Sequence, residues 1–224
     1  MTKTTSAWLL AALAVLATAG AAMADEMTPA ERHAALEQAV AVYERGDHAA
    51  AEQRFTALGN AGEAAAWHNL AVMHLRGELA GASPARAREL LSRAAAQGFV
   101  TAQLALGELY ESDRLGQPDL AQALAWYERA ADAGSVDAQV ATATAYFMGR
   151  GTPADAAQAA HWYRMAANGG DVGAQYILGS MYEKGDGVAA DLRLARYWYA
   201  AAARQGDEAA PDKLKDIDAR LAAQ

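Results

Sequence analysis

With no cysteine among its 224 residues, the chain cannot form a disulfide framework, a thiolate nucleophile, a thiolate-zinc site or a cysteine-borne lipid anchor. The five histidines are the next candidates for metal or proton-transfer chemistry. His68 and His74 are six apart, not the three or four that place two ligands on one helical face, and His33, His48 and His161 are scattered. His161 directly precedes Trp162-Tyr163 and reads as a partly exposed packing residue. Among the serines, Ser83 sits where a helix should begin, Ser92 lies on a helix face, and Ser180 follows Gly179 without a nucleophile elbow. Gly185-Asp186-Gly187 lacks the spaced oxygen ligands of a calcium loop, and no Gly-x-Gly-x-x-Gly follows a strand, so it reads as a turn. No Asp or Glu stands out as a hydrolytic pair. The sequence therefore predicts no catalytic residue, no metal and no cofactor, and a protein that is not an enzyme.

What does recur is spacing. Ala94-Ala95, Ala130-Ala131, Ala166-Ala167 and Ala202-Ala203 follow one another at intervals of 36 residues. The same interval links Gly62, Gly98, Gly134, Gly170 and Gly206, and the pairs Trp126-Tyr127, Trp162-Tyr163 and Trp198-Tyr199. It also links Tyr110, Tyr146 and Tyr182, and the series Asp47, Ser83, Asp119, Asp155 and Asp191. Such a period is the signature of a stacked repeat. Asp and Ser are residues whose side chains cap a helix start, and a glycine after an alanine-rich run marks a left-handed helix stop. The second helix of each unit carries Leu70, Leu106 or Leu178 and ends in a loop marked by Gly77, Gly149-Arg150-Gly151 or Gly185-Asp186-Gly187. The unit is thus helix, tight turn, helix, loop, with the aromatic rings expected between neighbouring pairs.

The ends differ from the repeat. Residues 1–24 place Lys3 before an apolar run from Trp8 and finish in Ala22-Met23-Ala24, the pattern of a cleavable export signal cut after Ala24. Periplasmic or secreted localisation is therefore expected, with no membrane insertion after cleavage. Thr28-Pro29-Ala30-Glu31 has the form of a capping box with proline in the first turn. Leu214, Ile217 and Leu221 recur at helical spacing among charged neighbours, as a terminal lid requires. The domain plan is a signal peptide over 1–24, an atypical helix pair over 25–61, repeats over 62–206 and a capping helix over 207–224. About a quarter alanine, with few β-branched residues, favours helix throughout. A net charge of −8 argues against nucleic acid as a partner.

The strings AQLALGELY (102–110), ALAWYERAADAG (123–134), AQYILGSMYEKGDGV (174–188) and LARYWYAAAARQG (194–206) resemble Sel1-like repeats, relatives of the tetratricopeptide repeat. That resemblance implies an all-α fold, an α/α superhelical solenoid of about five helix-turn-helix repeats with a C-terminal capping helix. It also implies a non-enzymatic protein–protein interaction scaffold. Three departures bear on local packing: Asp113 and Leu115 replace loop glycines, Thr142 stands where leucine is expected, and Leu90-Leu91 replaces Trp-Tyr. By analogy with the tetratricopeptide unit, residues around the repeat leucine line a concave face. Here these are His68, Val72 and Leu75; Leu104, Glu108 and Glu111; Val140, Thr144 and Phe147; and Tyr176, Ser180 and Glu183. Their mixture of apolar and acidic types suits a polypeptide carrying apolar and basic side chains. The second reading is a cell-envelope factor that recognises glycan or peptidoglycan, or assists a cell-wall or polysaccharide enzyme.

Overall fold

The computed structural model describes residues 27–223; the export signal expected over 1–24 lies outside them. Among the described residues there are eleven α-helices, one short 3-10 turn and no strand. They fall into two compact units, the first running to Ala102 and the second from Gln103.

The first unit contains α1 (Pro29–Glu44), α2 (His48–Asn60), α3 (Ala64–Arg76) and α4 (Pro84–Ala96), each packed on the next. Helix α1 starts in a complete capping box: Thr28 Oγ1 accepts from the Glu31 amide at 3.3 Å and Glu31 Oε2 accepts from the Thr28 amide at 2.8 Å. Helix α2 stops because Gly62 adopts φ +87°, which lets its amide reach Gly59 O and the Glu63 amide reach Leu58 O. Phe55, Leu70, Leu90 and Leu91 are buried in this unit.

Helix α5 (Val100–Glu111) begins at the end of the first unit and lies mostly in the second. There follow α6 (Leu120–Asp132), α7 (Val136–Met148), α8 (Ala156–Asn168), α9 (Val172–Lys184), α10 (Leu192–Arg204) and α11 (Ala210–Ala222). From α6 onward each helix packs on its successor. Asp119, Asp155 and Asp191 cap α6, α8 and α10 through their side chains, as Asp47 and Ser83 cap α2 and α4. A series that the sequence reading did not single out caps the alternate helices: Ser135 and Asp171 accept from the amides of Ala138 and Ala174. In the first turns of α7 and α9, Gln139 and Gln175 are buried and donate back to the carbonyls of Ala131 and Ala167 in the preceding helices.

Loop glycines have a steric cause. Gly187 adopts φ +68°, and a Cβ there would overlap the Ala156 carbonyl at the start of α8. Where Asp113 and Leu115 replace such glycines, the chain forms the 3-10 turn Asp113–Leu115 instead. Thr142, in a leucine position, is fully buried and its hydroxyl has no hydrogen-bond partner.

One sequence expectation needs correcting. Two of the three Trp-Tyr pairs do not bury both rings: Tyr127 and Tyr163 are buried while Trp126 and Trp162 are only half-buried, whereas Trp198 and Tyr199 are both buried. Adjacent residues on a helix point about 100° apart, so at the first two pairs the seam between helices takes one ring and leaves the other at its edge.

Candidate binding face

None of the twelve residues singled out around the repeat leucines is fully buried, so all reach solvent to some degree. In the first unit, His68, Val72 and Leu75 on α3 are half-buried. The His68 ring lies 5.5 Å from the Phe99 ring, and burial lowers its pKa, so it is neutral near pH 7.

In the second unit the positions part into two groups. Glu111 and Glu183 are tied down by their own chain. The Tyr127 hydroxyl donates to Glu111 Oε2 at 2.6 Å, and Arg150 Nη2 pairs with Glu111 Oε1 at 2.6 Å. Two pairs of helices further on, the Tyr199 hydroxyl donates to Glu183 Oε2 at 2.8 Å. Lys213 and Arg220 of α11 bind the same carboxylate at 3.1 and 2.8 Å. Burial alone would raise the pKa of Glu183, but hydrogen bonds from Tyr199, Lys213 and Arg220 outweigh it and hold it below the ordinary value. Burial, together with the hydrogen bond to its glutamate, raises the pKa of Tyr127 and of Tyr199 well above the usual phenol range.

Between them, the same position holds Phe147. Having no carboxylate to address, the Tyr163 hydroxyl shares a hydrogen bond with Thr144 Oγ1 at 3.0 Å. Phe147 remains 47% exposed, and Met148 beside it 63%. Val140 packs at the edge of the buried cluster around Tyr163 and Leu178, while Tyr176 stands edge-on to Tyr199 at 5.2 Å. Glu108 is exposed, and its pKa is raised by burial of part of its carboxyl and by the charges of Asp137 and Glu111. Ser180 bonds to Tyr199, and Leu104 is half-buried on α5.

The partners of these glutamates escaped the sequence reading. The signal was present as a constant offset, with Tyr127 following Glu111 and Tyr199 following Glu183 by 16 residues. Among the described residues no three His, Asp or Glu side chains gather in a way that would hold a metal ion, and no helix is long and apolar enough to cross a membrane.

Helix pairs of constant length, capped and stopped by the same residue types, define an α/α repeat solenoid. The Sel1 repeat matches four successive stretches, 64–99, 100–135, 136–171 and 172–207, and the chain belongs to the Sel1 repeat family. Its fold is that of protein–protein interaction scaffolds, a generally non-catalytic class. A protective antigen of uropathogenic Escherichia coli strains that displays an SLR fold is 28% identical, with a TM-score of 0.75, over 84% of this chain and 41% of its own. A Sel1 repeat protein from Oxalobacter formigenes is 33% identical, with a TM-score of 0.67, over 75% of this chain and 49% of its own. The chain thus spans less than half the length of either. A Klebsiella pneumoniae protein described as a putative sel1 repeat protein, 23% identical with a TM-score of 0.50 over 84% of this chain and 93% of its own, shares the fold. No curated protein matches the sequence.

Proposed function

We propose that this protein is an exported, non-enzymatic scaffold that binds a polypeptide through the residues around its repeat leucines, with Phe147 as the principal apolar anchor. One observation carries the reading. At a position where both flanking repeats hold a glutamate locked to tyrosine and cations, this repeat presents an aromatic ring left 47% exposed. Exposed aromatic side chains beside acidic groups are the material of peptide-docking surfaces. Glu108, whose pKa is raised by burial and then by the charges of Asp137 and Glu111, favours a partner that brings a basic side chain.

A photo-crosslinking amino acid placed at Phe147 in cells tests the reading, with the same group at exposed Tyr197 as control. A discrete protein adduct at Phe147 alone supports it. Adducts absent at Phe147, together with retention of the protein on insoluble peptidoglycan, favour the glycan reading. Export is tested by the mass of the protein recovered from the envelope, which should correspond to a chain beginning at Asp25.

A further inference from the structure

The crevice between three successive helices occurs in both units, and the two copies differ. In the second unit, α5, α6 and α7 enclose about 140 Å³ lined by Tyr127, Thr144, Glu111 and Arg150. There the tyrosine, glutamate and arginine close the space by bonding across it. In the first unit, α1, α2 and α3 enclose about 320 Å³ in the corresponding place. Phe55 stands two repeat periods before Tyr127, and Val72 two before Thr144. Phe55 has no hydroxyl to offer, and the bond between α1 and α3 here lies instead between Tyr43 and Arg76, both of which line the pocket.

What lines the larger pocket has a definite chemistry. Its apolar surface comes from Phe55 and Met73, both buried, and from Val40 and Val72. Two charges sit at the rim on the last residues of their helices, Glu44 of α1 and Arg76 of α3. Both are exposed, and among the described residues neither has an ion-pair partner. Arg76 is nonetheless held in place: its Nη1 donates to the Tyr43 hydroxyl at 2.6 Å, and Tyr43 in turn donates to Glu78 Oε1 at 3.0 Å and stacks on His48 at 5.4 Å. The other guanidinium donors are free to meet an oxyanion in the planar fork geometry that suits a carboxylate. The volume falls at the lower end of the roughly 300–1,000 Å³ typical of small-ligand sites.

We propose that this pocket binds an apolar residue bearing a free α-carboxylate, with the side chain on Phe55, Met73, Val40 and Val72 and the carboxylate on Arg76. That chemistry is shared by a free apolar amino acid and by the last residue of a polypeptide. Glu44 tells them apart, because it can pair with the ammonium of the first and has no such group to meet in the second. The pocket shares His68 and Val72 with the binding face proposed above but does not depend on Phe147.

The test is an NMR titration of the protein with N-acetyl-L-leucine, L-leucine and the neutral N-acetyl-L-leucinamide, read at the methyl groups of Val40 and Val72. At least one of the acids should shift these methyls at millimolar concentration, with the amide weaker by about tenfold as the charge-assisted bond is lost. Arg76→Gln should bring the acids down to the level of the amide. Val72→Trp, or Val72→Phe if tryptophan unfolds the unit, should abolish all binding by filling the pocket. Tighter binding of leucine than of its acetylated form assigns the site to a free amino acid, and the reverse order to a chain terminus. Equal binding of acid and amide, or no shift at either valine, overturns the proposal. Phe147→Glu should leave these titrations unchanged, so failure here and failure of the peptide surface are separate results.

Discussion

Tyr127 and Glu111 meet at 2.6 Å, a phenol donating to a carboxylate that is itself paired with Arg150. The bond ties α6 to α5 at a place where the carboxylate is not repeat-invariant, since the next copy keeps a tyrosine, Tyr163, but has Phe147 in place of the glutamate. Tyr127→Phe should lower unfolding free energy by about 1–2 kcal/mol, the range for a hydrogen bond to a charged group set against desolvation. A double-mutant cycle with Glu111→Gln, read by urea denaturation, should show the two losses to be strongly non-additive. Additive losses would mean the pair contributes nothing as a unit.

The Glu183 cluster gives stability a pH dependence. Its carboxyl is held below the ordinary value of 4.5 in the folded chain, so the unfolded chain takes up the proton first as pH falls. The contribution is complete above 4.5 and is lost as pH drops through the lowered folded value. Glu183→Gln should flatten this part of the stability profile and leave the neutral-pH slope alone. An unchanged acid limb would show that the cluster is not coupled to folding.

Two helical glycines carry tyrosine rings, but not equally closely. A Cβ on Gly107 would overlap the Tyr127 ring, whereas one on Gly179 would lie 3.0 Å from the Tyr199 ring. Alanine gains about 1 kcal/mol of helix propensity at either site. Gly107→Ala should still destabilise, by up to about 2 kcal/mol net, because overpacking costs about 1–3 kcal/mol, while Gly179→Ala should be close to neutral. Thermal melts of the two variants decide it, and equal effects would contradict the packing described.

Thr142→Val removes a fully buried hydroxyl that has no partner and keeps the shape. The variant should be more stable by about 1 kcal/mol, since an unsatisfied buried donor costs about 1–3 kcal/mol. A loss of stability would mean that the hydroxyl is paired in solution.

Phe147→Glu should leave the helical content and the melting temperature near those of the parent. The new carboxylate takes the position of Glu111 and Glu183 in the neighbouring repeats. Capture of a polypeptide partner should be lost, as seen by crosslinking. Capture that survives in the folded variant rules out Phe147 as its anchor.

Much of the architecture was legible because it rests on local chemistry. A capping side chain such as Asp155 and a left-handed glycine such as Gly62 each act within a few residues, so their type and position report them directly. Burial within an aromatic pair was not legible, since Trp162 and Tyr163 are equally apolar and only the docking angle of the next helix decides between them. For the same reason Tyr163→Ala should cost about 3–5 kcal/mol and Trp162→Ala less, in the order of their burial. The pocket beside Arg76 was hidden more deeply. It lies against Phe55, which lacks the oxygen that Tyr127, Tyr163 and Tyr199 carry in the same register, a difference without meaning until three helices are assembled around it.

The buried glutamine bonds at the interhelix turns reach back only eight residues, from Gln139 to Ala131 and from Gln175 to Ala167. The donor of each glutamine is therefore met from a single stretch of gene, even though Gln175 Oε1 also accepts from the more distant Gln205. Excising or duplicating one period leaves these glutamine donors satisfied, which makes the number of repeats open to change by recombination at no cost in stranded donors at these junctions.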